Sequence, residues 1–132
     1  MDERTDLERV EYGYACWNEG DLEGLLSICD PEVEYHTSGA FPGIAPVYAG
    51  EEGIRQWWAD FREPWSEIKV IPEKVVERPG GVNVLVRFEG TGRQGIETTM
   101  HFINTTEIRD GLAYRFESQP ASNEALRELG LD

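Results

Sequence analysis

Apolar residues first recur along this chain at helical spacing. Leu7, Val10, Tyr14 and Trp17 fall on one face, preceded by Thr5 with Glu8 three residues on, a capping-box pattern, and followed by Gly20. This predicts a first helix with one buried face. Asp21 can cap a short second helix, whose Leu22, Leu25, Leu26 and Cys29 share a side and which Asp30-Pro31 stops. The period then changes to two. From Val33 to Thr37, Val33, Tyr35 and Thr37 alternate with Glu34 and His36, which predicts a strand.

A Gly- and Pro-rich loop from Ser38 to Pro46 carries Phe41 and Ile44 and is placed as a rim over a cavity. A third helix over about 51–63 presents Ile54, Trp57, Trp58 and Phe61 at i, i+3, i+4 and i+7, and Pro64 follows it. Four extended segments come next: 67–78, 82–89, 96–109 and 112–118. They are separated by Pro79-Gly80-Gly81, Gly90 to Gly95 and Asp110-Gly111, all suited to antiparallel hairpins. A last helix over about 122–129 starts at a capping Ser122 and ends before Gly130. Helices grouped before sequential antiparallel strands predict an α+β fold, with one curved, mostly antiparallel sheet wrapped around the N-terminal helices and a short C-terminal helix. A chain of 132 residues without an internal repeat or linker is read as one domain, 1–132.

Composition removes several function classes. A formal net charge of −14, with no basic stripe, repels phosphate backbones and argues against nucleic-acid binding. No apolar run approaches the length of a membrane span. The charged start Met1-Asp2-Glu3-Arg4-Thr5-Asp6 lacks the apolar stretch of a secretory signal, so the expected location is the cytoplasm. Cys16 and Cys29, both placed in helices, read as reduced core residues. Gly90-x-Gly92-x-x-Gly95 matches a dinucleotide fingerprint in letters, but a strand follows it where a phosphate site needs a helix, so it reads as a hairpin turn. The Asn104-Thr105-Thr106 sequon lies within a predicted strand and is discarded.

The run from Tyr14 to Asp21 (Tyr-Ala-Cys-Trp-Asn-Glu-Gly-Asp), then Asp30-Pro31-Glu32-Val33-Glu34-Tyr35-His36, resembles the opening of SnoaL-like domains of the nuclear transport factor 2-like superfamily. Tyr48-Ala49-Gly50 with Gly53-Ile54-Arg55, Arg109-Asp110-Gly111, and Glu124-Ala125-Leu126 with Gly130-Leu131 are similar to later landmarks of that family, in the same order over nearly the whole chain. The resemblance implies a cystatin-like cone roll with a small-molecule pocket, a homodimer through the outer sheet face, and no cofactor. Family members include isomerases, cyclases, dehydratases, hydrolases and binding modules, so the fold alone does not fix an activity.

Ketosteroid isomerase, a relative in that superfamily, uses an Asp base with a Tyr and a protonated Asp. The likeness places its base at Tyr35, its neutral acid at Met100 and its tyrosine near Gly13, beside Tyr14 on the buried helical face. Neither Tyr35 nor Met100 can do that chemistry. Where many relatives carry an aromatic and an Asp-Arg pair before the last helix, this chain has Gln119, Ala121 and Ser122.

The candidate ligand-binding residues are Tyr14, Trp17, Tyr35, Trp57, Phe61, Met100 and Phe116 as apolar wall, with Arg87 and Arg115 as polar anchors. Glu117 and His36 are the catalytic candidates. Burial would raise a glutamate's pKa into the working range, and an imidazole titrates near neutrality. Arg115 and Glu117 alternate with Tyr114, Phe116 and Ser118, so both charges point the same way, toward either the pocket or the dimer face. His36 and His101 stand far apart without ligand spacing, so no metal site is expected. The leading expectation is a cofactor-independent isomerase, cyclase or hydrolase-type enzyme acting on a small apolar carbonyl compound of polyketide-like character. The alternative is a non-catalytic module for binding a small hydrophobic ligand or for dimerisation.

Overall fold

The computed structural model describes residues 4–37 and 43–132. In chain order the elements are α1 (Asp6–Glu19), α2 (Leu22–Ser27), β1 (Cys29–His36), β2 (Val47–Ala49), α3 (Gly50–Arg62), β3 (Trp65–Arg78), β4 (Gly81–Gly92), β5 (Glu97–Arg109), β6 (Leu112–Pro120) and α4 (Asn123–Glu128). The six strands form one open sheet in the order β2-β1-β6-β5-β4-β3. Every neighbouring pair is antiparallel except β1 with β6, which runs parallel. The sheet curves, and α1 to α3 lie in its concavity, as the alternation of apolar positions requires.

Local chemistry sets the boundaries. Thr5 and Glu8 close a capping box on α1 from both sides, at 3.1 and 2.9 Å. Gly20 ends α1 in the left-handed conformation, at φ 75°. Asp110 and Gly111 both have positive φ, 55° and 78°, which a two-residue hairpin between β5 and β6 demands. At Gly53 a Cβ would sit 2.9 Å from the Tyr48 carbonyl carbon, so the missing side chain lets α3 lie directly against β2.

Two clusters fill the concave side. One joins Val10, Trp17, Phe61 and Val70 to the inward row Val82, Val84, Val86 and Phe88 of β4. The other joins Cys16, Leu25 and Ile28 to Val33, Tyr35, Tyr48 and Ile54. Asn18 ties the end of α1 to the edge strand by a paired contact with Val70, donating to its carbonyl at 2.9 Å and accepting from its N–H at 2.8 Å. A third cluster lies on the outer face, where Ile103, Ala125 and Leu131 pack with Val76, Leu85 and Leu126, so α4 and the residues after it cover part of the sheet's back.

Two expectations need correction. Cys29 is not helical: α2 ends at Ser27, and Cys29 already pairs with Ala113 of β6, a contact from far along the chain that helical periodicity cannot register. The expected order also lacks a strand between the first strand and the third helix, where Val47–Ala49, just past the predicted loop, add an edge strand to β1. Of the predicted rim loop, residues 38–42, and with them Phe41, lie outside the described residues. Ile44 packs between the two inner clusters.

Candidate ligand-binding site

Inward-facing residues of α1, α3, β1, β5 and β6 enclose a cavity of about 90 Å³ between helices and sheet. Its wall is aromatic. Tyr14 and Trp17 come from α1, three residues apart on the buried helical face, Trp57 and Phe61 from α3 one turn apart, Tyr35 from β1, and Phe102 and Phe116 from β5 and β6. Trp57 is stacked on both sides, with Trp17 at 4.8 Å between ring centroids and Tyr35 at 4.6 Å. Phe61 meets Trp17 edge-on at 5.4 Å, and Tyr35 leans on Phe116 at 5.6 Å.

Trp17 is held from behind. Arg62 places its guanidinium 4.4 Å from the Trp17 ring centroid and 4.4 Å from that of Trp58, and donates to the Trp17 carbonyl through Nη2. A cation here also meets the C-terminal end of α1, where carbonyl dipoles favour positive charge.

The cavity's polar atoms are few and mostly neutral. The Tyr35 hydroxyl accepts a hydrogen bond from Asn104 Nδ2 at 3.0 Å and is also hydrogen-bonded to Ser118. Thr106 Oγ1 donates to Asn104 Oδ1 at 3.4 Å, which orients the amide. Burial pushes the Tyr35 phenol up to about 12, with Ser118 and Asn104 opposing the rise. Burial, and then the neighbouring Tyr35, hold the Tyr14 phenol well above its ordinary value. Tyr14 Oη and Trp17 Nε1 are both buried without a hydrogen-bond partner among the described residues. Among the described residues Arg9 is the only charged one lining the cavity, and its Nη1 pairs with Asp6 at 3.1 Å. No aspartate, glutamate, histidine or lysine among the described residues lines it.

The sequence-derived candidates therefore separate into two sets. Tyr14, Trp17, Tyr35, Trp57, Phe61 and Phe116 converge on the cavity. Glu117, His36, Arg115 and Arg87 do not line it. On each strand they alternate with the inward residues Phe116, Tyr35 and Phe88, and that alternation turns them to the outer face. There His36 pairs with Glu34 at 2.8 Å, Arg115 with Glu117 at 3.0 Å, and Arg87 with Glu73 and Glu89, each at 3.2 Å. His101 joins Glu73 at 2.9 Å on the same face. Met100, opposite Phe88 on the inner face, packs against the β4 cluster and does not reach the cavity, because it lies four residues along β5 from Asn104.

Sequence reasoning passed over Asn104, Ser118, Thr106 and Arg9. Asn104 is 8% exposed in the middle of β5, as unsuited to glycosylation as its strand position predicted. The available signal was parity: Asn104 and Thr106 occupy the same alternating row as Phe102. The Gly90, Gly92 and Gly95 stretch is a hairpin, with Gly92 N–H bonded to the Ile96 carbonyl at 2.8 Å. Among the described residues no three His, Cys, Asp or Glu side chains are grouped to hold a metal, and no helix is long and apolar enough to cross a membrane.

A cone-shaped α+β roll with helices in the sheet's concavity is the architecture of ketosteroid isomerase-like and cystatin-like folds. The chain belongs to the SnoaL-like domain family, whose profile matches residues 10–116. Among solved structures it is similar to TerC co-crystallised with polyporic acid, at 27% identity and a TM-score of 0.80, covering 94% of this chain and 96% of that one. It is also similar to a nuclear transport factor 2-like protein of unknown function from Burkholderia pseudomallei, at 21% identity and a TM-score of 0.81, covering 94% and 96%. A Δ5-3-ketosteroid isomerase from Mycobacterium sp. shares the fold at 17% identity and a TM-score of 0.72, covering 86% and 91%. No match was found among curated protein sequences.

Proposed function

We propose that this chain binds a small, flat, largely apolar molecule carrying an oxygen acceptor, and holds it without acid–base chemistry. The observation that carries this reading is the pair of buried donors, Tyr14 Oη and Trp17 Nε1, left without partners among the described residues in a largely apolar cavity. A buried donor without a partner costs about 1–3 kcal/mol, and an acceptor oxygen on a ligand would recover that cost. Apolar walls with a few convergent polar atoms are the usual make-up of small-molecule sites. A general base needs a titrating group within reach of the ligand, and Glu117 and His36 lie on the other side of the sheet. The similarity to TerC, crystallised with polyporic acid, supports a small-molecule ligand.

Acetophenone, one ring with one carbonyl, tests the reading. Titration should quench or shift the fluorescence of Trp17 and Trp57 and saturate, and Tyr14→Phe should weaken binding roughly threefold to tenfold, the worth of one neutral hydrogen bond. Equal affinity in wild type and Tyr14→Phe would remove the donor pair from the account. Turnover of a carbonyl compound that survives Tyr14→Phe and falls in Glu117→Gln would restore the enzymatic reading.

A further inference from the structure

Trp57 stands where a ligand ring would stand. Its indole is stacked between Trp17 and Tyr35, one ring layer filling the slot between two aromatic faces that come from different elements, α1 and β1. It is half-buried and belongs to both inner clusters at once, so it closes the space that would otherwise join them. The cavity left beside it measures about 90 Å³.

We propose that Trp57 is the specificity-determining residue of this cavity: by occupying the slot between Trp17 and Tyr35, it limits the ligand to a single ring. This rests on the reading of the cavity as a ligand site. Trp58, the next residue, offers an internal comparison. It contacts Trp17 edge-on at 4.6 Å and carries Arg62 over its face, but does not line the cavity. Of the two adjacent tryptophans of α3, position 57 therefore sets the size of what can be held, while Phe61, also on the wall, meets Trp17 only edge-on and leaves the slot to Trp57. A smaller side chain there leaves Trp17 and Tyr35 facing each other across a gap of one ring thickness, which a fused bicyclic ring can enter by stacking on both.

The test compares acetophenone with 2-acetonaphthone, which differ by one fused ring and share the carbonyl. Wild type should prefer acetophenone by at least tenfold. Trp57→Ala should reverse the order, gaining at least tenfold for 2-acetonaphthone, and Trp58→Ala should keep the wild-type order. Trp57→Leu, a milder change for a variant that must fold, should give an intermediate ratio, and thermal melts establish that each variant is folded. If the ratio is the same in wild type, Trp57→Ala and Trp57→Leu while acetophenone binds all three, the role of Trp57 is overturned and the binding function stands. If wild type binds neither ketone but Trp57→Ala takes 2-acetonaphthone, the slot is real and the proposed function fails. If no variant binds either ketone, both fail.

Discussion

Tyr14 and Tyr35 are phenols sharing one cavity, and their hydrogen bonds give them different work. Tyr35 is hydrogen-bonded to two side chains, which fixes its position; Tyr14 has no partner among the described residues and keeps its donor for a ligand. Both hold their protons more tightly in the folded chain than in the unfolded one. A group whose pKa rises on folding leaves stability intact below its unfolded value and erodes it as the pH climbs toward the folded one. For Tyr35 that window runs from the ordinary phenol value of 10.0 to about 12. Denaturant unfolding between pH 9 and 11.5 should show stability nearly level up to about pH 10 and then falling, with a slope approaching about 1.4 kcal/mol per pH unit for each buried phenol. Tyr35→Phe should flatten that slope, although it lowers stability at neutral pH by stranding Asn104. A slope unchanged by Tyr35→Phe would mean that this phenol titrates as an exposed one. The aromatic half of the site was legible in the sequence because Tyr14, Trp17, Trp57 and Phe61 mark buried helical faces by spacing alone. Asn104 and Ser118 were not, since a polar residue on a strand's inward row reads as an interruption until its partner is known.

Among the elements, α4 carries more weight than its six residues imply. It lies on the sheet's outer face, and Leu131, 2% exposed, anchors the segment after it beside Ile103, which is fully buried. Leu131→Ala should cost roughly 2–4 kcal/mol through lost burial and a residual cavity. Calorimetry should show a melting temperature lower by roughly 10 °C, with ligand binding at the opposite face unchanged. A loss under 1 kcal/mol would mean that the tail is loosely held. Most elements were readable from period and punctuation: the capping box at Thr5, the stop before Pro64, and the Asp110-Gly111 turn. Where the sequence misled, the cause was pairing between distant segments. Cys29 reads as one more apolar position of α2 until β6 arrives beside it, and three residues of β2 are too short to display an alternation.

Across the whole molecule, the charged strand candidates and the cavity lie on opposite sides of the sheet. The sequence suggested both sets of residues without their sides. Glu117 and His36 were attractive as chemical groups, but strand alternation puts them with Arg115, Glu34 and Glu107 on the back of the sheet, away from the aromatic wall. We propose that this back, where α4 leaves it uncovered, serves a homodimer. Arg115 lies between Glu107 and Glu117, at 4.0 and 3.0 Å. Arg115→Glu would therefore replace the only opposite charge of that trio in a protein already at −14. Sedimentation equilibrium should find twice the monomer mass for wild type and a shift toward monomer for the variant. A wild-type monomer at all concentrations would end the proposal.

The parallel pairing of β1 with β6 has a consequence for the order in which the protein can be made. The strand bearing Tyr35 is synthesised well before its sheet neighbour, which lies at residues 112–120. Until then Tyr35 lacks Ser118, Phe116 has not arrived, and the aromatic faces of α1 and α3 have no complete floor. The nascent chain thus carries this aromatic surface incompletely sheltered until β6 has been made, an interval in which exposed apolar faces are prone to misassociation.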